Sequence, residues 1–448
     1  FAIKYFLCYK ILFITTFIFI CYTYMKAFLL TLLFLLCATV TILNAAVLQQ
    51  KNDSAYYLLR GRVLGEDTRE PLVYAGVSVR NLNISTITNQ DGYFSIKVPE
   101  SAKNSQLVIR HLGYRNKVIP VITLIDKPND YIMMQPSSIL LEEVEVVSGD
   151  GGPLVREALL RIPDNYPDVP NMMIAFYRES IKKRNTYISL VEAVVDIYKA
   201  SYRSFENDQA RIYMGRKATD ISPRDTILLK FQGGLTDALL LDIAKNPEVV
   251  FGKEGEEYLF TIENIVSFND KPNYVISFLP RPGIEDILFR GKIYLDAKSL
   301  AFTRMEFNMN VENRKDAANI FIKKKPFKMK VDMNYAKYIV DYIEKDDKWY
   351  FNHSRTDVAF KVNWSNRFFG LFAPMYTISS EIAITDRYTD DVVKFPRNER
   401  IRSTDVIAEK VEDFQNSDFW GEYNVIEPDE EISTAIKKLS GKLRRRQQ

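Results

Sequence analysis

The stretch of sequence that decides the fold of the first module is Ile84-Ser85-Thr86-Ile87-Thr88-Asn89-Gln90-Asp91-Gly92-Tyr93-Phe94-Ser95-Ile96-Lys97-Val98. Two short runs of strand-forming residues lie on either side of residues 89–92. Asn and Asp side chains bond to their own backbone in turns, and glycine adopts positive φ without strain. Residues 89–92 therefore predict a hairpin turn between two strands.

Further short runs of the same kind lie on both sides of this turn. Residues 58–64, 77–80 and 107–110 are rich in Val, Leu and Ile, and turn residues separate them. Several short strands at this spacing are typical of a β-sandwich. We therefore expect a first folded module at residues 57–148.

This module also contains a set of recognisable motifs. They are Gly61-Arg62-Val63, Glu70-Pro71-Leu72, Ala75-Gly76-Val77-Ser78-Val79, residues 86–96 quoted above, and Leu112-Gly113-Tyr114. As a set they resemble the carboxypeptidase regulatory-like domain, and residues 140–146 resemble the closing strand of such modules in envelope proteins and outer-membrane receptors. The resemblance implies a seven-stranded, transthyretin-like sandwich. One departure is Tyr74-Ala75-Gly76, which stands where the family often has Pro-Gly.

Residues 153–425 predict a second module with unusually long strands. Alternating apolar and polar residues predict strands at 173–183, 187–198, 258–268, 274–279, 289–296, 301–311, 328–343, 349–364 and 375–385. Apolar residues at helical spacing predict helices at residues 153–162 and 235–244. We therefore expect a mainly β protein: an N-terminal seven-stranded β-sandwich followed by a large antiparallel curved sheet or half-barrel with two or three helices.

Two interpretations of the long strands stay open. Residues 328–335 alternate charged and apolar side chains, which fits an outer-membrane β-barrel strand and a one-sided soluble sheet equally. Charges in the middle of other strands, at Glu263, Glu306 and Lys361, favour the soluble sheet. The hairpin at 294–306 is similar to those of the periplasmic lipoprotein-carrier half-barrel, and this resemblance implies a concave apolar surface able to hold acyl chains.

The first 47 residues predict export. Residues 25–47 have a basic start at Met25-Lys26, an apolar core and small residues at the end, which is the pattern of a signal peptide. We expect residues 1–24 to come from a gene start placed too far upstream; the alternative is a two-segment membrane anchor. The three cysteines all lie in this region, at Cys8, Cys21 and Cys37. A processed chain would therefore have no disulfide and no thiolate metal site.

Residues 426–448 predict a basic amphipathic helix and tail. Lys and Arg follow one another at its end, which suits the dipole of a helix. The basic cluster at 444–446 is either solvated or in contact with anionic lipid. The whole chain has 60 basic and 57 acidic residues, and this balance argues against nucleic acid as a partner.

Few residues suggest chemistry, and we predict no catalytic, cofactor-binding or metal-binding residue. The two histidines are His111 and His353, and neither lies in a zinc-peptidase motif. His353 with Asp357 is the one candidate for a catalytic pair. Residues 89–92 resemble a fragment of a calcium loop but lack its other ligands. The carboxylate pairs 142–143, 256–257 and 346–347 are adjacent in sequence and therefore diverge, and Gly233-Gly234 is expected to be a turn.

These patterns favour a non-catalytic binding or structural protein of a Gram-negative cell envelope, periplasmic or associated with the outer membrane. It would act as an adaptor for an envelope protein or outer-membrane component, or bind a lipophilic ligand; a lipid and a glycan are the candidate ligands. The alternatives are an envelope hydrolase of unknown type that uses His353, and an outer-membrane barrel component.

Overall fold

Antiparallel strands dominate the fold, as the alternation predicts. The computed structural model describes residues 55–127, 130–137, 149–220, 234–252, 255–284, 286–312, 317–318, 321, 329–364, 373–413 and 419–447. The leader with its three cysteines, the predicted closing strand at 140–146, the pair 142–143 and Gly233 lie outside these ranges. Residues 56–448 form one compact unit.

The first module is a two-sheet sandwich. Its elements are β1 (Tyr56–Gly65), β2 (Gly76–Val79), β3 (Ser85–Ile87), β4 (Tyr93–Pro99), β5 (Gln106–Arg110), β6 (Lys117–Pro120), α1 (Val121–Asp126) and β7 (Asp130–Met134). One sheet has the order β4-β1-β7 and the other β3-β2-β5-β6. The described residues thus confirm the predicted seven-stranded sandwich, whose core includes Val63, Val77, Phe94 and Ile109.

The turn at residues 89–92 is confirmed, but the hairpin is wrong. Asn89 accepts hydrogen bonds from the amides of Asp91 and Tyr93, and Gly92 has φ +79°. However, β3 pairs with β2 whereas β4 pairs with β1. The turn therefore leads the chain from one sheet of the sandwich to the other.

The second module is built on one large sheet. Its strands are β8 (Asn171–Lys183), β9 (Thr186–Lys199), β10 (Gln209–Thr219), β11 (Tyr258–Phe268), β12 (Lys271–Pro280), β13 (Phe289–Asp296), β14 (Phe302–Met309), β15 (Met329–Lys345), β16 (Lys348–Trp364), β17 (Met375–Tyr388) and β18 (Glu412–Asp413). Its helices in the described residues are α2 (Gly152–Leu160), α3 (Ile162–Asn165), α4 (Gly234–Leu240), α5 (Glu248–Phe251) and α6 (Glu430–Gln447).

The eleven strands form an open, curved sheet in the order β11-β12-β13-β14-β15-β16-β17-β8-β9-β10-β18. Neighbours are antiparallel except for β10 and β18. Strands β8 to β10 are the first strands of the module in the chain, but they follow β17 in the sheet. The beginning and the end of the module are therefore adjacent in the sheet. This places side chains from distant parts of the sequence in one row.

The two faces of this sheet differ in what covers them. The apolar face packs against α2, α4 and α5 through Val155, Leu235, Leu239, Val250 and Phe251. The opposite face carries many charged side chains and is covered in part by the sandwich. Contact there includes Ile87 of β3, packed with Phe176, Val194 and Ala383, and the Ser85 hydroxyl, which donates to the carbonyl of Ile384 at 2.9 Å.

Strand β10 and helix α4 differ from the sequence prediction. Strand β10 was not predicted, because Arg211, Arg216 and Lys217 obscure its alternation. Helix α4 ends at Leu240 and not at Ala244, because Asp242 turns inward to a buried polar cluster. No helix within the described ranges is long and apolar enough to span a membrane.

Candidate functional site

A row of alternating charges crosses seven strands of the large sheet on the face toward the sandwich. From β14 to β10 its members are Arg304, Asp341, His353, Arg355, Glu381, Arg178, Glu192 and Arg216. Each is the cross-strand partner of the next, apart from a step of two residues along β16 between His353 and Arg355. Opposite charges on adjacent strands attract one another, so the register itself builds this row.

His353 lies at the centre of the row and is fully buried. Its Nδ1 is 2.9 Å from Oδ2 of Asp341, and its Nε2 is 3.2 Å from Oε1 of Glu381. Burial alone would lower the pKa of the imidazole, but the hydrogen bonds to the two carboxylates outweigh it and raise that pKa. With a carboxylate at each nitrogen, the site favours the imidazolium, which can donate from both nitrogens.

The two carboxylates beside His353 are kept ionised by arginines. Arg304 donates to Asp341 at 2.8 Å, and Nη1 of Arg355 is 3.6 Å from Glu381. Burial would raise the pKa of Glu381, but Arg355 and His353 hold it at about 2. The pKa of Asp341 is lowered in the same way, chiefly by Arg304 against burial. The cluster is thus a set of matched ion pairs.

Tyr74 of the sandwich covers this cluster. Its ring centroid is 4.9 Å from that of His353, and the Arg355 guanidinium lies 5.9 Å from the same ring. Tyr74 has φ +59°, a conformation that bulky residues rarely adopt. It belongs to the tripeptide that departs from the family motif. The strained backbone therefore places this particular side chain over the imidazolium.

Little space remains between Tyr74 and the sheet. A cavity of about 40 Å³ is lined by Tyr74, His111, Arg304, Asp341 and His353 among others. This volume holds one or two waters and no larger substrate. His111 also lines it; its ring nitrogens face the carbonyls of Leu112 and Val73 at 3.0 and 3.2 Å, and burial lowers its pKa.

A C-terminal strap, which we define as residues 419–430, fixes the sandwich to the sheet. On the sandwich side, Asn424 accepts from the amide of Lys97 at 2.6 Å, and Asp91 accepts from the amide of Glu430 at 3.0 Å. On the sheet side, Trp420 packs edge-to-face on Phe176 with centroids 5.5 Å apart. The strap therefore bonds to both modules.

Arg178 connects the strap to the charged row. Its Nε donates to Glu192 at 2.9 Å, and its Nη2 donates to the carbonyl oxygen of Ile426 at 2.8 Å. Arg216, the next cation of the row, is 2.8 Å from Glu192 and lies 4.7 Å from the ring of Trp420. The end of the row and the strap thus share the same cations.

A second buried polar cluster lies at the end of α4. Nζ of Lys199 is 2.6 Å from both Asp208 and Asp242, and the hydroxyls of Tyr202 and Tyr342 donate to Asp242 at 2.6 and 3.0 Å. Burial would lower the pKa of Lys199, but the two carboxylates raise it. The lysine is therefore a structural cation that anchors the segment after α4.

The structure separates the one candidate catalytic pair. Asp357 bonds to Arg355 at 2.8 Å and receives a hydrogen bond from Ser379, whereas His353 contacts Asp341 and Glu381. Gly234 is the first residue of α4. The described residues contain no group of three or more acidic, histidine or cysteine side chains that would hold a metal ion.

Apart from His353, which stands out as one of two histidines, the residues of the row were not recognisable from the sequence. Each is a charged residue at an alternating strand position, which is typical of a solvent-facing side chain. Only the pairing of β17 with β8 and the covering sandwich make them neighbours and bury them. The one local signal was Tyr74, at the departure from the family motif.

The class of the first module follows from this architecture and from comparison with known protein families. Residues 59–146 match the model of the CarboxypepD_reg-like domain, so this part of the chain is a domain of that kind, as its motifs predict. No curated protein matches the chain.

Two solved structures align with the chain at low similarity. A DUF1329 family protein from Desulfovibrio piger is 11% identical with a TM-score of 0.25, covering 55% of this chain and 96% of that one. MucB in complex with MucA(peri) is 10% identical with a TM-score of 0.17, covering 52% and 94%. Both TM-scores are too low to indicate a shared fold.

Proposed function

We propose that this chain is a non-catalytic binding protein exported to the cell envelope, in which the sandwich and the large sheet act together as an adaptor for an envelope partner. The observation that carries this proposal is the state of His353. Both of its ring nitrogens are bonded to carboxylates, and its side chain is fully buried beneath Tyr74.

This arrangement does not suit a hydrolase. A general base needs a neutral ring with a nitrogen within hydrogen-bond reach of the substrate. Here both ring nitrogens of His353 are already taken up by carboxylates, and the adjacent cavity of about 40 Å³ leaves no room for a substrate. Lys199 is likewise enclosed between Asp208 and Asp242. The buried charges of the row and of the Lys199 cluster serve to hold the modules together.

The adaptor role is supported by exposed aromatic side chains on both modules. Tyr131, on the β7 edge of the sandwich, is 59% exposed, and Phe205, in the loop after β9, is fully exposed. Aromatic residues are enriched where proteins bind one another. The regulatory-like domain at 59–146 and the signal-peptide pattern at 25–47 support placement in the envelope, in the periplasm or at the outer membrane.

A lipophilic ligand has less support. The face of the sheet that would hold acyl chains is packed against α2, α4 and α5 in the described residues. A lipid on that face would have to displace Leu235, Leu239 and Phe251, which are buried there. A protein partner at the exposed aromatic side chains requires no such rearrangement.

Site-specific crosslinking in the native envelope tests the adaptor role. A photoreactive benzoylphenylalanine is placed at Tyr131 or Phe205, with exposed Lys298 in the β13–β14 turn as the matched control position. We expect a discrete adduct from Tyr131 or Phe205 and none from Lys298. Absence of an adduct from both aromatic positions contradicts the adaptor role.

An activity screen tests the non-catalytic part of the proposal. The wild-type protein and His353→Ala are compared on esterase, peptidase and glycosidase substrates. We expect no turnover by either protein. A wild-type activity that disappears in a folded His353→Ala variant overturns this part of the proposal.

A further inference from the structure

A polar hollow of about 200 Å³ lies where the sandwich, the large sheet and the start of α6 meet. It is separate from the small cavity beside His353. Its lining combines cations, carboxylates and hydroxyls.

The floor of the hollow follows from the register of three strands. Asp357 on β16 pairs with Ser379 on β17, which in turn pairs with Ser180 on β8. This row of short side chains lies beside the long Arg355 and Arg178 of the charged row. A line of small residues flanked by arginines leaves a depression in the sheet surface.

The roof comes from two other parts of the chain. Gln90 belongs to the turn between β3 and β4, Asp429 lies in the strap just before α6, and Ile432 lies in the first turn of α6. Asp91 beside Gln90 caps the amide of Glu430 at 3.0 Å, so the two parts of the roof are bonded to each other. The hollow therefore exists only in the assembled protein.

The chemistry of the lining limits what can bind. The three cations of the lining are already paired, Arg178 with Glu192, Lys182 with Glu431 and Arg355 with Asp357, so the hollow offers no free cation to balance an anionic ligand. A neutral molecule rich in hydroxyls can donate to the carboxylates and accept from the cations without adding a charge to a largely buried site.

Hydroxyl and apolar groups complete the lining. Ser180, Ser379 and Thr377 offer further donors and acceptors, while the Tyr187 ring and Ile432 offer apolar surface. Ligand sites typically combine such apolar contacts with a few convergent polar groups. A pyranose ring has apolar C–H faces and a rim of hydroxyls, which match the apolar and the polar parts of the lining.

We propose that this hollow binds one neutral sugar residue. This deepens the binding role proposed above, because a sugar bridging the floor and roof would tighten the strap over the sheet. The volume of the hollow would otherwise hold about six waters. Binding is measured on the purified protein without a partner, so its outcome is independent of the crosslinking experiment.

The test is a calorimetric titration of the full chain with glucose, galactose and N-acetylglucosamine, alongside glucuronate and glucosamine as charged counterparts. We expect at least one neutral sugar to bind with a Kd of about 1 mM and to bind at least about tenfold more tightly than its charged counterpart. Binding of none of the neutral sugars at about 100 mM means that the hollow holds water only, and it overturns the proposal.

Two variants locate the binding in the hollow. Ser180→Val adds apolar volume to the floor, and Thr377→Val removes a hydroxyl with little change of shape. Ser277→Val, at an exposed hydroxyl on β12, is the matched control. We expect each floor variant to weaken binding about tenfold and the control to leave it unchanged. Unchanged affinity in the folded floor variants overturns the proposal.

Discussion

Arg178 donates from Nη2 to the main-chain carbonyl oxygen of Ile426 at 2.8 Å, which joins a strand in the middle of the large sheet to the C-terminal strap. The same guanidinium is bonded to Glu192. Both side chains are buried, at 4% and 1% exposure. One cation thus stabilises the charged row and the strap at once.

Arg178→Met should therefore destabilise the protein and loosen the strap. Breaking a buried ion pair leaves polar groups without a partner and costs about 3–5 kcal/mol in the free energy of unfolding. Hydrogen exchange should quicken in residues 419–430. Arg161→Met breaks the exposed pair with Glu157 and should cost less than about 1 kcal/mol. Equal losses in the two variants would contradict the role of Arg178.

The pKa values of the two histidines should be shifted in opposite directions from the ordinary value. The pKa of His353 is raised by its two carboxylates against burial, whereas burial lowers the pKa of His111. Nitrogen NMR of the two imidazoles at about pH 6.5, the ordinary value, should therefore show His353 mostly protonated and His111 mostly neutral. His353→Gln should remove the first signal and His111→Gln the second. A neutral His353 at this pH would refute the imidazolium assignment.

The same cluster predicts how stability depends on pH. The raised pKa of His353 gives a contribution that is complete below its unfolded value of 6.5 and is lost as pH rises through the folded value. Glu381 has a folded pKa of about 2 against an ordinary 4.5, so its contribution is complete above 4.5 and is lost as pH falls toward 2.

The stabilisation from these two residues should therefore be greatest between about pH 4.5 and 6.5. Denaturant unfolding of the wild type and of His353→Gln across the pH range measures it. We expect the free-energy difference between the two proteins to shrink above the folded pKa of His353. A difference that stays constant from acid to alkaline pH would show that the charge of the ring contributes nothing.

The sequence predicts the strands better than it predicts the faces they bury. Alternation identified β11 and β13 with the same bounds that the structure shows, because each has a clear period of two. It missed β10, where Arg211 and Arg216 interrupt the pattern. Their partners, Asp196 and Glu192, lie on the neighbouring strand, so these ion pairs depend on strand pairing that no local pattern reveals.

The same limit applies to the candidate site. Alternation correctly separates an apolar from a charged face of the sheet, and a charged face is expected to meet water. Here the sandwich and the strap cover it, through contacts such as Tyr74 with His353 that span hundreds of residues of sequence. Which surface one module presents to another depends on the completed folds of both.

Two glycines should respond differently to an added methyl group. A Cβ on Gly291 in β13 would lie 2.1 Å from the carbonyl oxygen of Glu306 and 2.6 Å from Cα of Phe307, both backbone atoms of β14. Gly291→Ala should therefore force the strands apart, and we expect a loss of about 3 kcal/mol or failure to fold.

Gly76 of the family motif is the contrasting case. A Cβ there meets nothing within 4 Å. Gly76→Ala should be neutral or stabilise by about 0.5 kcal/mol, since alanine restricts the unfolded chain. Thermal unfolding of both variants measures the contrast. A large loss in Gly76→Ala would contradict the open space seen there.

Glu179 is a carboxyl group buried on the apolar side of β8, and it should make the protein less stable at alkaline pH. Burial raises its pKa to about 7, opposed by the hydrogen bond that Tyr177 donates at 2.9 Å. The unfolded chain releases this proton at about 4.5 and the folded chain at about 7, so stability falls as pH rises between them.

Glu179→Gln removes this penalty and should raise the free energy of unfolding at about pH 8 by up to roughly 3 kcal/mol, the equivalent of the shift in pKa. At about pH 4 the two proteins should be similar, because the folded wild type is then also neutral at this position. Glu263→Gln, at an exposed pair with Lys292, is the control and should change little at either pH. Denaturant unfolding at the two pH values measures the effect. If Glu179→Gln destabilises the protein equally at both, the carboxylate must have a stabilising partner, and its pKa cannot be raised.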